Sequence, residues 1–109
     1  MVRGYLKFEK TNPVQAGQRV MIFVEDTSRV GAGSVQVAQT VATLPQNFDF
    51  RHDVLPFEID VSDDTDTLTI RAHMPIHAGT DIRLGDMITT ASIPVRRNAD
   101  IAVTLHLVD

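Results

Sequence analysis

The stretch "TLTIRAHM", residues 67–74, has the most regular hydrophobic pattern in the chain. Its apolar residues occupy every second position: Leu68, Ile70, Ala72 and Met74. Successive side chains of a strand point to opposite faces, so this period of two predicts a β-strand with one buried face.

Similar alternation recurs in six further segments. They are residues 2–9, 18–25, 35–43, 55–61, 87–95 and 100–108. Short segments rich in turn-forming residues separate most of them, and no segment has the period of an amphipathic helix. Each strand has one polar face, which favours two sheets packed face to face. We therefore predict an all-β fold, an antiparallel β-sandwich of seven or eight strands. The irregular segment "LPQNFDFRHDV", residues 44–54, is either a covering loop or the eighth strand.

The predicted core consists of the apolar residues on the inward face of each strand. It contains Leu6, Phe8, Val20, Ile22, Val24, Val37, Val41, Phe57, Ile59, Leu68, Ile70, Ala72, Val103 and Leu105. The weakest strand is "MITTASIPV", residues 87–95. Its alternation is poor and Pro94 lacks an amide proton, so we predict that it lies at a sheet edge.

Length, charge and composition exclude several classes of protein. The 109 residues predict a single domain, 1–109. The net charge is −4 and the Lys and Arg residues are scattered, which argues against nucleic-acid binding. No apolar run approaches the ~20 residues of a membrane-spanning helix. The absence of cysteine excludes disulfides, thiolate metal sites and lipid attachment through cysteine in this chain.

The first residues, "MVRGYLKFEK", lack the apolar segment of a signal peptide. The expected location is therefore the cytoplasm if Met1 is the native start. If a leader was trimmed, the expected location is the cell envelope or periplasm.

Asp26 continues the inward face of Val20, Ile22 and Val24. A catalytic acid at this position would need a partner, and only Thr27 and Ser28 are nearby in sequence. An Asp followed by Thr and Ser is typical of a turn in which the carboxylate accepts loop amide protons. We interpret Asp26 as a structural turn residue whose side chain bonds to the amide of Ser28 or a neighbour.

The acidic segment "DVSDDTD", residues 60–66, partly resembles a calcium loop. Asp60, Ser62, Asp64 and Asp66 fall at positions one, three, five and seven. However, Thr65 replaces the glycine at position six and Arg71 replaces the glutamate at position twelve. An acidic hairpin turn is the preferred interpretation, and a small-ligand or calcium-binding domain is the alternative function. Calcium-dependent melting would distinguish them.

The four histidines do not form a recognisable metal site. His73 and His77 would lie about 13 Å apart on an extended chain. His73 and His106 fall on outward faces and would meet only if their strands pair. Solvent-facing histidines are expected, and we predict no metal, no cofactor and no catalytic residue. No G-x-S-x-G motif is present, and "GAGS", residues 31–34, lacks the lysine of a phosphate-binding loop.

The segment "VRGYLKFEKTNPVQAGQRVMIFVEDTS", residues 2–28, resembles the YscW-type pilot lipoprotein family, small bacterial envelope lipoproteins of type III secretion and their relatives. In this family a glycine-containing strand and a short loop precede an alternating strand that ends in aspartate, as at Asp26. The later segments "VAQT", "LPFEID", "LTIRAHM" and "ASIPV" follow the family's order and spacing. The resemblance covers residues 2–108 and implies a β-sandwich that assists the membrane assembly of a partner. The family's lipid-carrying cysteine is absent from this chain, and residues 44–54 are longer than the family's usual connection.

These observations favour a non-catalytic interaction or assembly module with a protein partner. Clustered exposed aromatic residues and arginine are typical of interfaces. Phe48, Phe50 and Arg51 are therefore the candidate partner-binding residues. The alternative for the two phenylalanines is that they fill one end of the core.

Overall fold

The computed structural model describes residues 1–9, 18–27, 35–49, 52–61, 67–75, 82–96 and 99–108. These ranges contain strands and turns but no helix, and so no helix that is long and apolar enough to cross a membrane. The strands are β1 (Val2–Phe8), β2 (Arg19–Asp26), β3 (Val35–Thr43), β4 (Leu55–Ile59), β5 (Leu68–Met74), β6 (Met87–Ile88), β7 (Ile93–Pro94) and β8 (Ile101–Leu107). The prediction of an all-β fold is confirmed.

The strands form one mixed sheet in the order β3-β2-β5-β6-β8-β1-β4, and β7 pairs with β5. The first and last strands are parallel neighbours, with Gly4 opposite Ile101 and Phe8 opposite Leu105. The two ends of this order, β3 and β4, also contact each other, so the sheet nearly closes on itself. The prediction of an antiparallel β-sandwich was wrong in this respect: the β1–β8 pair is parallel, and the β6–β8 pair joins what would have been two separate sheets.

In most strands, the alternating apolar residues are buried as predicted. The side chains at every second position of β1, β4 and β5 are buried, beginning with Val2, Leu55 and Leu68. With two exceptions, every residue of the predicted core is buried. One apolar face per strand therefore suffices to enclose a continuous core within the curved sheet.

The exceptions are Val37 and Val41 of β3, which are exposed. Their strand instead turns Ala38 and Ala42 toward the core, opposite Val24 and Val20 of β2. A bulge leaves Val37 as an extra residue between the pairs that β2 makes with Gln36 and Ala38. The facing prediction for β3 was wrong because small side chains, rather than valines, pack on the inner side.

Gly4 is required by the parallel pair. A Cβ atom at this position would overlap the carbonyl oxygen of Ile101 in β8. It would also approach the ring of Phe57, its partner in β4, to 2.8 Å at Cζ. Glycine at this point therefore lets β8 and an aromatic ring approach the β1 backbone together.

The predicted edge strand over residues 87–95 consists of two short strands. β6 lies inside the sheet, between β5 and β8, and β7 pairs with β5 through Ile93 and Pro94. The edge prediction was wrong for β6, because the ends of the sheet order are β3 and β4. Poor alternation here reflects the shortness of the strands.

Candidate protein-binding surface

Phe48 lies in a turn that follows β3 and is half-buried. Its ring packs edge-on against Phe8, with the ring centroids 5.7 Å apart and the planes at 82°. Phe48 therefore belongs to the margin of the core while part of it reaches the surface. Phe50 and Arg51, the other two candidate contact residues, lie outside the described residues.

The turn next to Phe48 carries an exposed histidine–carboxylate pair. His52 Nδ1 lies 2.9 Å from Asp49 Oδ2. This hydrogen bond and the negative charge of Asp49 raise the pKa of His52 above its ordinary value of 6.5. Asp53 donates its backbone N–H to the Asp49 carbonyl at 2.7 Å and accepts the Asp49 N–H at 3.0 Å. These bonds hold the two sides of the turn together.

Asp26 is the last residue of β2, as its position after the apolar run predicts. Its Oδ1 accepts a hydrogen bond of 2.7 Å from the hydroxyl of Thr67, one residue before β5. Ser28, the predicted donor, lies outside the described residues. The bond to Thr67 ties the end of β2 to the start of β5.

Asp60 of the acidic segment is exposed, and Ser62–Asp66 lie outside the described residues. Within the described part of the chain, no three His, Asp or Glu side chains are arranged to hold a metal ion. Because most of this segment lies outside the described residues, the calcium-loop alternative stays a prediction.

A buried hydrogen bond between a histidine and an aspartate was not predicted from the sequence. His73 Nε2 lies 2.8 Å from Asp86 Oδ2, and the two residues are only 3% and 1% exposed. The same carboxylate oxygen accepts the backbone N–H of Arg83 at 2.9 Å. The prediction of a solvent-facing His73 was wrong, because the turn before β6 covers the outer side of β5. A lone aspartate thirteen residues away gave no signal of this pairing.

The turn over His73 is well ordered by hydrogen bonds. Asp86 donates its N–H to the Arg83 carbonyl, and Gly85 has a φ of 90°. These are the features of a type II turn, which requires a positive φ at its third residue. Gly85 donates its N–H to the Val108 carbonyl, and Val108 donates its N–H to the Asp86 carbonyl. These two hydrogen bonds attach the turn to the end of β8. Leu84 at the corner of this turn is 72% exposed.

The outer face of β2 and β5 carries a stacked cation. Arg71 lies over the ring of Phe23 at 4.2 Å and donates from Nε to Glu25 at 2.8 Å. His106 on β8 pairs with Glu9 at 2.5 Å, so the outward histidines His73 and His106 each have an acidic partner. The Arg71–Glu25 pair joins β5 to β2, and the His106–Glu9 pair joins β8 to the end of β1.

The exposed apolar surface of the sheet is concentrated on β3. Val35, Val37 and Val41 are 43%, 36% and 48% exposed. An open depression of about 430 Å³ lies at the other end of the sheet order, where Arg3 of β1 and Glu58 of β4 form an exposed salt bridge of 3.2 Å. Among the described residues, these apolar side chains grouped on one strand are the surface feature that most resembles a protein-binding site.

Comparison with known proteins identifies one similar fold. The chain resembles an alternative pilotin from the type II secretion system of Vibrio cholerae, with a TM-score of 0.59 and 14% identity. The similarity covers 99% of this chain and 96% of that protein. No protein-family model and no curated protein matches the sequence. The whole chain thus has a pilotin-like fold.

Proposed function

We propose that the protein is a non-catalytic assembly module of the bacterial cell envelope that binds a protein partner. The observation that carries this proposal is the likeness of its fold to a secretion pilotin over nearly the whole of both chains. The sequence resemblance to the YscW-type pilot lipoproteins supports the same class of role. On this proposal the chain assists the membrane assembly of its partner and performs no chemistry of its own.

The distribution of apolar surface supports protein binding. The valines of β3 are exposed on the strand at one end of the sheet order. Nearby on the outer face, Phe23 of β2 is half-buried and lies under Arg71. Exposed apolar side chains flanked by an arginine are typical of recognition surfaces.

Phe48, Phe50 and Arg51 are proposed as further contact residues. The edge-on packing of Phe48 against Phe8 would anchor this segment to the core, and its exposed part would be available to a partner. In the sequence, Arg51 adds a cation between the acidic Asp49 and Asp53. Asp26 is proposed to act structurally, through the end of β2.

The proposal can be tested by crosslinking in the bacterium that encodes the chain. An affinity-tagged protein is crosslinked in intact cells and the attached proteins are identified by mass spectrometry. We expect a secretion-system or outer-membrane protein to be enriched. Arg51→Glu should reduce this enrichment, whereas Arg3→Glu, a matched charge reversal at an exposed position of β1, should not. Failure of the unaltered chain to enrich any envelope protein would contradict the proposed function.

A further inference from the structure

The two ends of the sheet order differ in how they are protected against strand pairing. β4 has five residues and carries Pro56 and Glu58, and short length, proline and charge all discourage added strands. β3 has nine residues, "VQVAQTVAT", with neither a charged residue nor a proline. Its bulge at Val37 is its one irregularity of register with β2. The longer end of the sheet is therefore the less protected one.

The backbone of β3 has unused capacity for pairing. Among the described strands, β3 forms a ladder with β2 alone. β4 contacts β3 without forming a ladder in those residues, and it is four residues shorter, five against nine. Because alternate N–H and C=O groups of a strand point to opposite sides, a set of β3 groups faces away from β2.

The chemistry of this edge defines what it can bind. Outward N–H and C=O groups in a row are matched by another extended backbone, which is how sheet edges bind peptides. The net charge of the protein is −4, but β3 contains no charged side chain that could pair with one on a ligand. Exposed Val35, Val37 and Val41 offer apolar contacts at intervals along about 20 Å of strand.

We propose that β3 is a docking edge to which an uncharged, extended segment of the protein partner adds as a further strand. This inference rests on the proposed function, since it names the part of the partner that is bound. The segment has β-branched or other apolar residues at alternate positions, which lie beside the exposed valines. Its backbone completes the hydrogen bonding of β3, and the Pro56-containing edge of β4 stays unpaired.

The binding mode can be tested with a defined probe. The probe is a peptide of seven alternating Thr and Val residues, with two lysines at each end for solubility. The control peptide has proline at its central position, which removes a donor and prevents regular pairing. NMR of the labelled protein should show the Thr/Val peptide shifting β3 resonances and slowing β3 amide exchange at least tenfold, and the proline peptide should do neither.

Variants of the protein make the test specific. Val41→Lys places a charge on the edge and should weaken binding of the Thr/Val peptide at least tenfold. Leu84→Lys is the matched control, because it introduces the same charge at an exposed apolar position on a distant turn, and binding should be unchanged. The proposal is overturned if the peptide does not bind at millimolar concentration. It is equally overturned if the shifts map away from β3 or if Val41→Lys binds as well as the unaltered chain.

Two further measurements separate this inference from its alternatives. Sedimentation should show a monomer, and a dimer that dissociates in Val41→Lys would assign the edge to a second copy and overturn the proposal. In cells, Val41→Lys should lose the crosslinked partner. If it retains the partner that the unaltered chain captures, the docking edge is wrong and the assembly function stands. If the unaltered chain captures no envelope protein, the proposed function itself fails.

Discussion

The imidazole of His73 and the carboxylate of Asp86 form a hydrogen-bonded pair, Nε2 to Oδ2 at 2.8 Å, in which both side chains are almost completely buried. The backbone N–H of Arg83 also donates to this carboxylate. Burial without these partners would leave polar groups removed from water and unsatisfied, which is costly. The pair therefore fixes the turn before β6 on the outer side of β5.

Asp86→Ala should lower the free energy of unfolding by about 2–4 kcal/mol, because it leaves the buried ring of His73 and the N–H of Arg83 without their acceptor. Urea denaturation measures the change. Leu84→Ala on the same turn is the control, since this exposed side chain should contribute no more than about 0.5 kcal/mol. Equal effects of the two substitutions would show that the pair does not stabilise the turn.

Gly4→Ala should destabilise the fold by about 3 kcal/mol or more, because its methyl group would overlap the Ile101 carbonyl and crowd Phe57. Thermal unfolding measures the loss. Combining the change with Phe57→Leu relieves the contact with the ring but leaves the contact with the carbonyl. The double variant should therefore regain none of the thermal stability that Gly4→Ala loses. If it regained all of it, the contact with the Ile101 carbonyl of β8 would not be the cause of the loss.

Asp26→Ala should lower the free energy of unfolding by about 0.5–2 kcal/mol, because it removes the acceptor of the Thr67 hydroxyl. Thr67→Val removes the donor. If the bond accounts for the effect, the double variant should lose less than the sum of the two single losses. Unchanged stability together with lost partner binding in Asp26→Ala would reassign the residue from a structural to a binding role.

The pKa of His52 should be found above 6.5 by NMR titration of its ring protons, because Asp49 accepts its hydrogen bond. The pair stabilises the folded chain at pH values below the unfolded pKa. This contribution is lost as the pH rises through the higher folded pKa. Asp49→Asn should return the pKa toward 6.5, and Asp53→Asn should lower it less. An unchanged pKa in Asp49→Asn would refute the pairing.

Local patterns were sufficient to predict most of the strands, but not which strands are neighbours. Alternation in residues 2–8 and 101–107 reports a buried face, and it carries no signal that β1 and β8 lie side by side in parallel. In β3 the valines suggested an inward face, yet Ala38 and Ala42 pack against the core. Which residues of β3 face the core depends on the space left beside β2 in the folded chain. The sequence of β3 alone does not give the size of that space.

In the candidate site, too, features within one strand were predictable and contacts between strands were not. The position of Asp26 at the end of β2 followed from the apolar run before it, whereas its bond to Thr67 depends on β2 pairing with β5. The burial of His73 depends on a turn that contains Asp86, and neither residue lies in a motif. Side-chain partners separated in sequence become predictable only when strand order is known.

The parallel pairing of β1 and β8 also has a mechanical consequence. Val2 lies at one end of this strand pair and Leu107 at the other, because Gly4 is opposite Ile101 and Phe8 is opposite Leu105. A force pulling these two positions apart would act along the strands and stress the hydrogen bonds between them in shear. The bonds would then have to break together instead of one after another, so the fold should resist a force applied between the start of β1 and the end of β8.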